Sequence, residues 1–263
     1  MITAGADIGS SSSKILILED GEKILSAVVI PVGTGSSGPD RAFAQALDQA
    51  GLTRDKLGYI VATGYGRRHF EADRQFSEIT CHARGIAWLM PEARTIIDIG
   101  GQDAKAIRIE PGGSVGSFIM NDKCAAGTGR FLDVMSRVLE VDVSELAALA
   151  DESKQEAAIS STCTVFAESE VISQLAQAAR REDVAAGVIR SVVRRCAGLV
   201  KRVGPEAPVV MTGGVSLNPL AVRFMQEELS IPVMAASRPQ LTGALGAALL
   251  AARELSKLKA GAL

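Results

Sequence analysis

The sequence has few aromatic residues, little net charge and no long apolar run. Phe, Trp and Tyr make up 4% of its 263 residues, which disfavours a base-stacking platform for single-stranded nucleic acid. Its 28 basic and 30 acidic residues leave a net charge of −2, too little to attract nucleic acid or anionic lipid. No run of about 18 uncharged apolar residues occurs, so no transmembrane span is expected. The N-terminus lacks the features of a signal peptide, and a cytoplasmic location is expected.

Cysteine and histidine are also scarce, and neither has the spacing of a metal-binding motif. The four cysteines lie far apart and form no C-x-x-C pair, so a disulfide framework is not expected in a reducing cytosol. Their simplest interpretation is as small buried hydrophobes. The two histidines, His69 and His82, are interpreted as surface residues or satisfied core residues.

An internal repeat with an offset of 91 residues is the main positive feature, since Asp7-Ile-Gly recurs at Asp98 and Lys14 recurs at Lys105. Each copy predicts a strand, a tight glycine turn and a returning strand. The backbone N–H groups of such a turn form a concavity that favours an anion. Two copies of one phosphate-gripping hairpin predict two related half-molecules that close on one nucleotide.

Strand hairpins followed by alternating strands and helices predict an α/β protein with mixed sheets. The predicted domains are residues 1–93 and 94–240, with a C-terminal helix, 241–263, joining the first. Among the other helices, one is predicted to begin with Asp40 as its N-cap, and a long one is predicted over residues 164–181. The arginines near residue 190 are interpreted as a solvated helix face.

The two hairpins supply the candidate catalytic and phosphate-binding residues. The predicted catalytic residues are Asp7 and Asp98, which would hold Mg²⁺ directly or through water, and Gln102, whose neutral amide suits orienting an attacking water. The predicted phosphate-binding residues offer backbone N–H groups, hydroxyls and one ammonium group. They are Gly9, Ser10, Ser11, Ser12, Lys14, Gly100 and Gly101.

Later glycine segments are assigned to the rest of the nucleotide. One ends a predicted strand, where a flat adenine or ribose could lie against the backbone. The assigned residues are Gly127, Thr128, Gly129, Gly213, Gly214, Asn218 and Gly243. Taken singly, each glycine segment is explained equally well as a structural turn.

Cys124 and Cys163 each come just ahead of a predicted helix. The helix dipole and free N–H groups stabilise a thiolate at such a position, which favours a metal-ligand thiolate or an anionic cluster. The alternative is that both are merely small residues at helix starts. Cys81 and Cys196 are interpreted as structural.

The order of these segments resembles that of the actin, Hsp70 and sugar-kinase superfamily over nearly the whole chain. The resemblance implies an α/β fold of two ribonuclease-H-like domains. It also implies a nucleotide in the interdomain cleft and a hinge that opens and closes around it.

Three longer motifs resemble a narrower family. They are residues 98–103 (Asp-Ile-Gly-Gly-Gln-Asp), 121–131 (Asn-Asp-Lys-Cys-Ala-Ala-Gly-Thr-Gly-Arg-Phe) and 163–170 (Cys-Thr-Val-Phe-Ala-Glu-Ser-Glu). They are similar to the ATPase activators, or component A, of 2-hydroxyacyl-CoA dehydratases, in the BadF-BadG-BcrA-BcrD ATPase family. That family includes benzoyl-CoA reductase ATPase subunits and the reductases of double-cubane cluster proteins.

This second resemblance implies a homodimer with one bridging [4Fe-4S] cluster, to which each subunit gives two cysteines. By motif position these would be Cys124 and Cys163. It further implies that ATP and Mg²⁺ drive a low-potential electron into a partner iron–sulfur enzyme of anaerobic metabolism. A ferredoxin or flavodoxin would be the electron donor.

Two alternative functions stay open on the sequence. A small-molecule kinase of the same fold would need a catalytic carboxylate, for which Asp103 and Asp122 are candidates, and would not need Cys124 or Cys163. A non-enzymatic nucleotide sensor or filament-forming actin relative would use an open-ended interface instead of a closed dimer.

Overall fold

A computed structural model of the chain describes residues 1–121, 124–160 and 162–261. Its strands are Ile2–Ile8 (β1), Ser13–Glu19 (β2), Lys23–Ile30 (β3), Tyr59–Thr63 (β4), Arg74–Gln75 (β5), Thr95–Ile99 (β6), Ala104–Ile109 (β7), Val115–Asn121 (β8), Val209–Thr212 (β9) and Val233–Ala235 (β10). Its α-helices are Gly38–Ala50 (α1), Glu78–Leu89 (α2), Gly129–Val138 (α3), Leu146–Asp151 (α4), Thr164–Ala176 (α5), Arg181–Val203 (α6), Pro219–Leu229 (α7) and Thr242–Gly261 (α8). None of the helices within these ranges is long and apolar enough to cross a membrane.

The chain divides into two units. The first comprises Met1–Ala93, Ile109–Gly116 and Gln240–Leu263, and the second comprises Arg94–Arg108 and Ser117–Pro239. The sequence-based division placed the second of these segments, 109–116, in the other domain. The structure groups that turn with the first unit because the turn lies on α2. There, Arg84 Nη1 donates a hydrogen bond of 2.5 Å to the Gly112 carbonyl.

The first unit is a five-stranded sheet in the order β3-β2-β1-β4-β5. β1, β2 and β3 are antiparallel neighbours, whereas β4 runs parallel to β1 and β5 parallel to β4. Ile15 and Ile17 of β2 pack in the cluster that contains α1, and Leu16 and Leu18 pack in the cluster that contains α8. Helices on both faces therefore explain why this strand is continuously apolar.

The second unit repeats that sheet, in the order β10-β9-β6-β7-β8. β7 is antiparallel to β6, β9 is parallel to β6, and β10 is parallel to β9. Its core lies largely against α6, where Val184, Val188 and Val192 recur at helical spacing and are buried. β6 and β1 therefore occupy equivalent central positions, and each carries one copy of the Asp-Ile-Gly sequence.

Two predicted helix ends were wrong. α1 begins at Gly38 with Ser37 as its N-cap, so Asp40 lies inside the first turn. Proline is tolerated in that turn because it lacks only a backbone N–H that would have no partner within the helix. α5 ends at Ala176 instead of continuing to residue 181. Ala178 has a φ of 62°, outside the helical region, and a new helix starts three residues later.

Candidate functional site

The turn between β1 and β2 presents backbone and an ammonium group beside a buried carboxylate. Asp7 lies directly across the strand pair from Lys14, whose Nζ is 3.4 Å from Asp7 Oδ2. The Gly9 N–H donates to the Ser12 carbonyl at 3.0 Å and closes the turn. Ser11, at the tip, is exposed. A small anion could thus reach backbone N–H groups, hydroxyls and Lys14 together.

The turn between β6 and β7 has the same backbone plan. Asp98 lies directly across from Lys105, and the Gly100 N–H donates to the Asp103 carbonyl at 2.9 Å. Gln102 at the tip is exposed. The amide predicted to orient a water is therefore accessible to solvent.

The two lysines differ in exposure and in the number of carboxylates close to their ammonium groups. The Lys14 side chain is 14% exposed, and its Nζ is 3.4 Å from Asp7 Oδ2. The Lys105 side chain is 2% exposed, with Nζ 3.1 Å from Asp98 Oδ2 and 2.7 Å from Asp103 Oδ1. Lys14 is therefore the more accessible and the less tightly paired of the two ammonium groups. A phosphate suits the first hairpin, and a hydrated cation or water suits the second, where two carboxylates lie close together.

A threonine at the end of a parallel strand lies beside each aspartate, a feature that the sequence analysis missed. Thr63 of β4 pairs with Asp7, and Thr212 of β9 pairs with Asp98. The Thr212 hydroxyl donates to Asp98 Oδ1 at 2.8 Å, but the Thr63 hydroxyl donates to the carbonyl of Phe76 at 3.1 Å. The recurrence of Thr-Gly after two β-rich runs was the available sequence signal.

The residue after each threonine must be glycine, because its φ is positive and because a Cβ there would crowd the aspartate. Gly64 and Gly213 both have a φ of 83°. A Cβ on Gly64 would lie 2.5 Å from Asp7 Oδ1, and one on Gly213 would lie 3.0 Å from Asp98 Oδ1 and would overlap the Ile99 carbonyl. Only glycine fits here, which places Gly213 beside the second hairpin's carboxylate.

The predicted glycine segment before α3 contacts the second hairpin. The Gly129 N–H donates to the Gly100 carbonyl at 2.8 Å. Gly127 has a φ of 86° and lies against the side chain of Arg195, and the Thr128 hydroxyl donates to the Ala125 carbonyl at 2.7 Å. These contacts shape the loop, and any contact of these residues with a nucleotide stays a prediction.

The last three assigned residues have separate places. Gly214 is exposed in the turn Gly214–Leu217 after β9. Asn218 caps α7, since its Oδ1 accepts from the N–H of Ala221 at 3.0 Å. Gly243 lies in the first turn of α8, where a Cβ would be 3.0 Å from Asp7 Oδ2. The structure thus brings Gly243 to the first hairpin and Gly213 to the second.

Cys124 lies five residues before α3 and Cys163 lies at the start of α5, and these two helices pack on each other. Cys163 is the N-cap residue of α5 and is half-buried. Cys124, also half-buried, precedes α3, and its carbonyl accepts from Asn121 Nδ2 at 2.9 Å. Both residues therefore retain some access to solvent.

The other two cysteines are buried. Desolvation by burial raises the pKa of Cys81 and that of Cys196 to about 12. The Cys196 thiol donates to the carbonyl of Gly127 at 3.0 Å. These two thiols are held in the neutral form and are unsuited to ligate iron.

The arginine face of α6 is not simply solvated, contrary to the sequence-based interpretation. The Arg190 side chain is 11% exposed and binds carboxylates of Glu156 at 2.7 Å and Glu227 at 2.6 Å. Its guanidinium lies 3.5 Å from the ring centroid of Phe224. The hydrogen bond from Arg190 lowers the pKa of Glu156. This network ties the segment after α4 to α6 and α7.

Two units with one strand order, each with an aspartate hairpin and a Thr-Gly strand end, define an ATPase of the actin, Hsp70 and sugar-kinase fold class. The family model of the BadF/BadG/BcrA/BcrD ATPases matches residues 4–251, and the chain belongs to that family.

Named relatives are similar over nearly their whole lengths. The activator of lactoyl-CoA dehydratase from Anaerotignum propionicum is 57% identical over 95% of this chain and 97% of its own. The solved activator of the 2-hydroxyisocaproyl-CoA dehydratase from Clostridium difficile, with bound ADPNP, has a TM-score of 0.96 and 51% identity, covering 99% and 98%. Component A of the Acidaminococcus fermentans (R)-2-hydroxyglutaryl-CoA dehydratase has a TM-score of 0.94 and 49% identity, covering 97% and 99%.

Proposed function

We propose that this protein is an ATP-dependent electron activase. In this proposal it is a homodimer with one bridging [4Fe-4S] cluster, and ATP binding and hydrolysis drive single low-potential electrons into a partner iron–sulfur enzyme. The observation that carries the proposal is the division of the four cysteines into two that are buried and two that are half-buried, in segments that lead into the packed helices α3 and α5. A kinase or a sensor of this fold has no use for that pair.

The cysteine arrangement fits a cluster shared by two chains. A [4Fe-4S] cluster takes four thiolates, and when bound it would supply a one-electron redox centre. Within the described ranges, no group of three or more His, Cys, Asp or Glu side chains is arranged to hold a metal ion. Cys124 and Cys163 would therefore provide two ligands, and a second copy related by a twofold axis would provide two more.

The surface beside Cys163 supports such an assembly. Val165, Phe166 and Ile172 of α5 have relative exposures of 68%, 70% and 53%. Apolar side chains grouped at a surface commonly mark a protein interface. We therefore assign this face of α5 to the dimer contact.

We assign the two hairpins to one ATP molecule, as the family resemblance implies. Lys14 and the serine turn would hold phosphate, because Lys14 has the less committed ammonium group. Asp7 and Asp98 would hold Mg²⁺, directly or through water, and Gln102 would orient the attacking water. Gly213 and Gly214 would face the nucleoside. The relative solved with ADPNP supports nucleotide binding at this fold.

A direct link inside the second unit supports coupling between nucleotide and cluster. The N–H groups of Gly129 and Arg130 donate to the carbonyls of Gly100 and Gly101 at 2.8 and 2.9 Å. The start of α3 is therefore hydrogen-bonded to the second hairpin, and Cys124 lies only five residues before α3. Shifting a two-state equilibrium from 1:99 to 99:1 requires about 5.5 kcal/mol of differential ATP affinity.

The partner in this proposal is a 2-hydroxyacyl-CoA dehydratase or a related reductase of the benzoyl-CoA or double-cubane type. Relatives named as activators of lactoyl-CoA and 2-hydroxyisocaproyl-CoA dehydratases support the first choice. A ferredoxin or flavodoxin would deliver the electron, and the reaction would take place in the cytoplasm.

The two alternatives have less support. A kinase would need a free catalytic carboxylate, but Asp103 is paired with Lys105. The other candidate, Asp122, lies outside the described residues. A filament-forming relative would not need two half-buried cysteines in segments that lead into one pair of packed helices.

The test is anaerobic purification followed by iron analysis, absorption and EPR after reduction. We expect about four irons per dimer, as one cluster of this type contains. Cys124→Ser and Cys163→Ser should each lose the iron, whereas the matched buried variant Cys196→Ser should keep it. Gln102→Ala should slow ATP hydrolysis and leave the iron content unchanged. A colourless, iron-free chain after anaerobic reconstitution would refute the proposal.

A further inference from the structure

The two repeated aspartates are oriented by different groups. Asp98 receives a hydrogen bond from the Thr212 hydroxyl at 2.8 Å on one oxygen and from Lys105 at 3.1 Å on the other. In the first unit, the equivalent hydroxyl, on Thr63, donates instead to a backbone carbonyl. Thr63 therefore does not do for Asp7 what Thr212 does for Asp98.

His82 is placed to take that role. It lies on α2 and is buried, and its Nδ1 is 2.9 Å from the hydroxyl of Thr242 at the start of α8. The two helices are in backbone contact, because a Cβ on Gly85 would overlap the Thr242 carbonyl and one on Gly246 would overlap the Cys81 carbonyl. This close crossing carries the imidazole to the first turn of α8.

The carboxylate of Asp7 and the imidazole of His82 both lie close to Gly243. A Cβ placed on Gly243 would lie 3.0 Å from Asp7 Oδ2 and 3.4 Å from His82 Nε2. The carboxylate and the imidazole therefore both lie against the same face of Gly243, where a side chain would crowd them. This face is at the N-terminus of α8, whose dipole favours a carboxylate.

We infer that His82 is a positioning residue for Asp7, with its Nε2 edge facing the carboxylate over Gly243. If the Thr242 hydroxyl donates to Nδ1, the ring N–H is at Nε2, on the side of the carboxylate. The imidazole then presents a donor toward Asp7, as Thr212 does toward Asp98. This inference rests on the proposed ATPase function, in which Asp7 holds Mg²⁺.

The test compares two substitutions that keep different halves of the ring. His82→Asn retains a partner for Thr242 but loses the group at Nε2, whereas His82→Gln retains a polar group near Nε2. Binding of a fluorescent N-methylanthraniloyl-ATP is measured as Mg²⁺ is added. The readout is the Mg²⁺ concentration at half of the maximal effect, alongside kcat and KM. Loss of such a second-layer partner commonly costs 10- to 100-fold in metal affinity or activity.

We expect His82→Asn to raise the half-saturating Mg²⁺ concentration about 10-fold or more, with nucleotide affinity in EDTA unchanged. His82→Gln should recover part of the loss. Ile86→Val, a buried change one turn further along α2, should lower thermal stability without changing the Mg²⁺ dependence. If His82→Asn does not fold, Thr242→Val should shift the Mg²⁺ dependence in the same direction.

Wild-type Mg²⁺ dependence in a folded His82→Asn protein, or in folded Thr242→Val when His82→Asn does not fold, would overturn the inference. So would a shift in Ile86→Val as large as that in His82→Asn, because the effect would then come from packing. Failure of the proposed function is distinguishable, since the wild-type protein itself would then not bind the nucleotide.

Discussion

Replacing Lys105 with methionine tests the inequality of the two hairpins most directly. Lys105→Met removes the ammonium group that Asp98 and Asp103 share but keeps most of the side-chain volume. Lys14→Met is the matching change in the first hairpin, where one carboxylate is paired at 3.4 Å. The two variants should differ in what they damage, although the lysines are equivalent in the repeat.

The expected magnitudes follow from burial. Asp98, with a side chain 4% exposed, would lose the Lys105 ammonium group, and removing one partner of a buried ion pair costs about 3–5 kcal/mol. The more accessible Lys14–Asp7 pair should cost about 1–3 kcal/mol. At about 2–4 °C per kcal/mol, Lys105→Met should lower the melting temperature by about 6–20 °C.

The assay is thermal and urea unfolding with two probes. Far-UV circular dichroism reports both units, whereas fluorescence of Trp88, the single tryptophan, reports the first unit, which contains α2. Lys105→Met should shift the circular-dichroism transition more than Lys14→Met does. ATP affinity per folded molecule should fall more in Lys14→Met, because Lys14 has the ammonium group available to phosphate.

Lys201→Met, an exposed change on α6 in the same unit as Lys105, is the control. It should stay within about 0.5 kcal/mol of wild type. If Lys105→Met unfolds at the midpoint of Lys201→Met, or is no less stable than Lys14→Met, the proposed electrostatic difference between the hairpins is wrong.

Three further predictions concern thiols, acid stability and glycine. In the native, metal-free chain, Cys81 and Cys196 should not react with Ellman's reagent while the other two cysteines do; four equally fast thiols would contradict their burial. Because the pKa of Glu156 is lowered from 4.5, its ion pair contributes stability above that pH, which is lost as pH falls through the lowered value. Glu156→Gln should therefore reduce the acid-dependent fall in urea midpoint, and an unchanged fall would count against this role. Gly204→Ala, at a φ of 72° in open space, should cost about 1–2 kcal/mol of stability. Gly213→Ala should cost more, because its Cβ would also overlap a backbone carbonyl. Equal urea midpoints for the two variants would argue against that clash.

The repeat predicted more of the architecture than any single motif did. Strand pairing in an antiparallel hairpin follows from short-range pattern and turn chemistry, so the Asp7–Lys14 and Asp98–Lys105 register was implicit in the spacing. Helix ends were less predictable. The early end of α5 depends on the φ of Ala178, which no local residue preference demands.

The site shows the same division at the level of side chains. Its aspartates and glycines were identifiable because a tight turn near an anion demands those residue types. The direction of the Thr63 hydroxyl and the approach of His82 to Asp7 were not identifiable from the sequence. The first depends on the Phe76 carbonyl, just after β5, and the second on groups from α2 and α8, which lie far apart in the chain.

The sequence by itself determined the repeated hairpins, the fold class and the two motif cysteines, because these depend on local patterns of residue type and spacing. Tertiary structure alone decided which equivalent groups differ. It paired Lys105 with a second carboxylate, buried Cys81 and Cys196, and left Cys124 and Cys163 half-buried. The physical reason is that burial and ion pairing set a group's charge and availability, and both depend on neighbours far away in the chain.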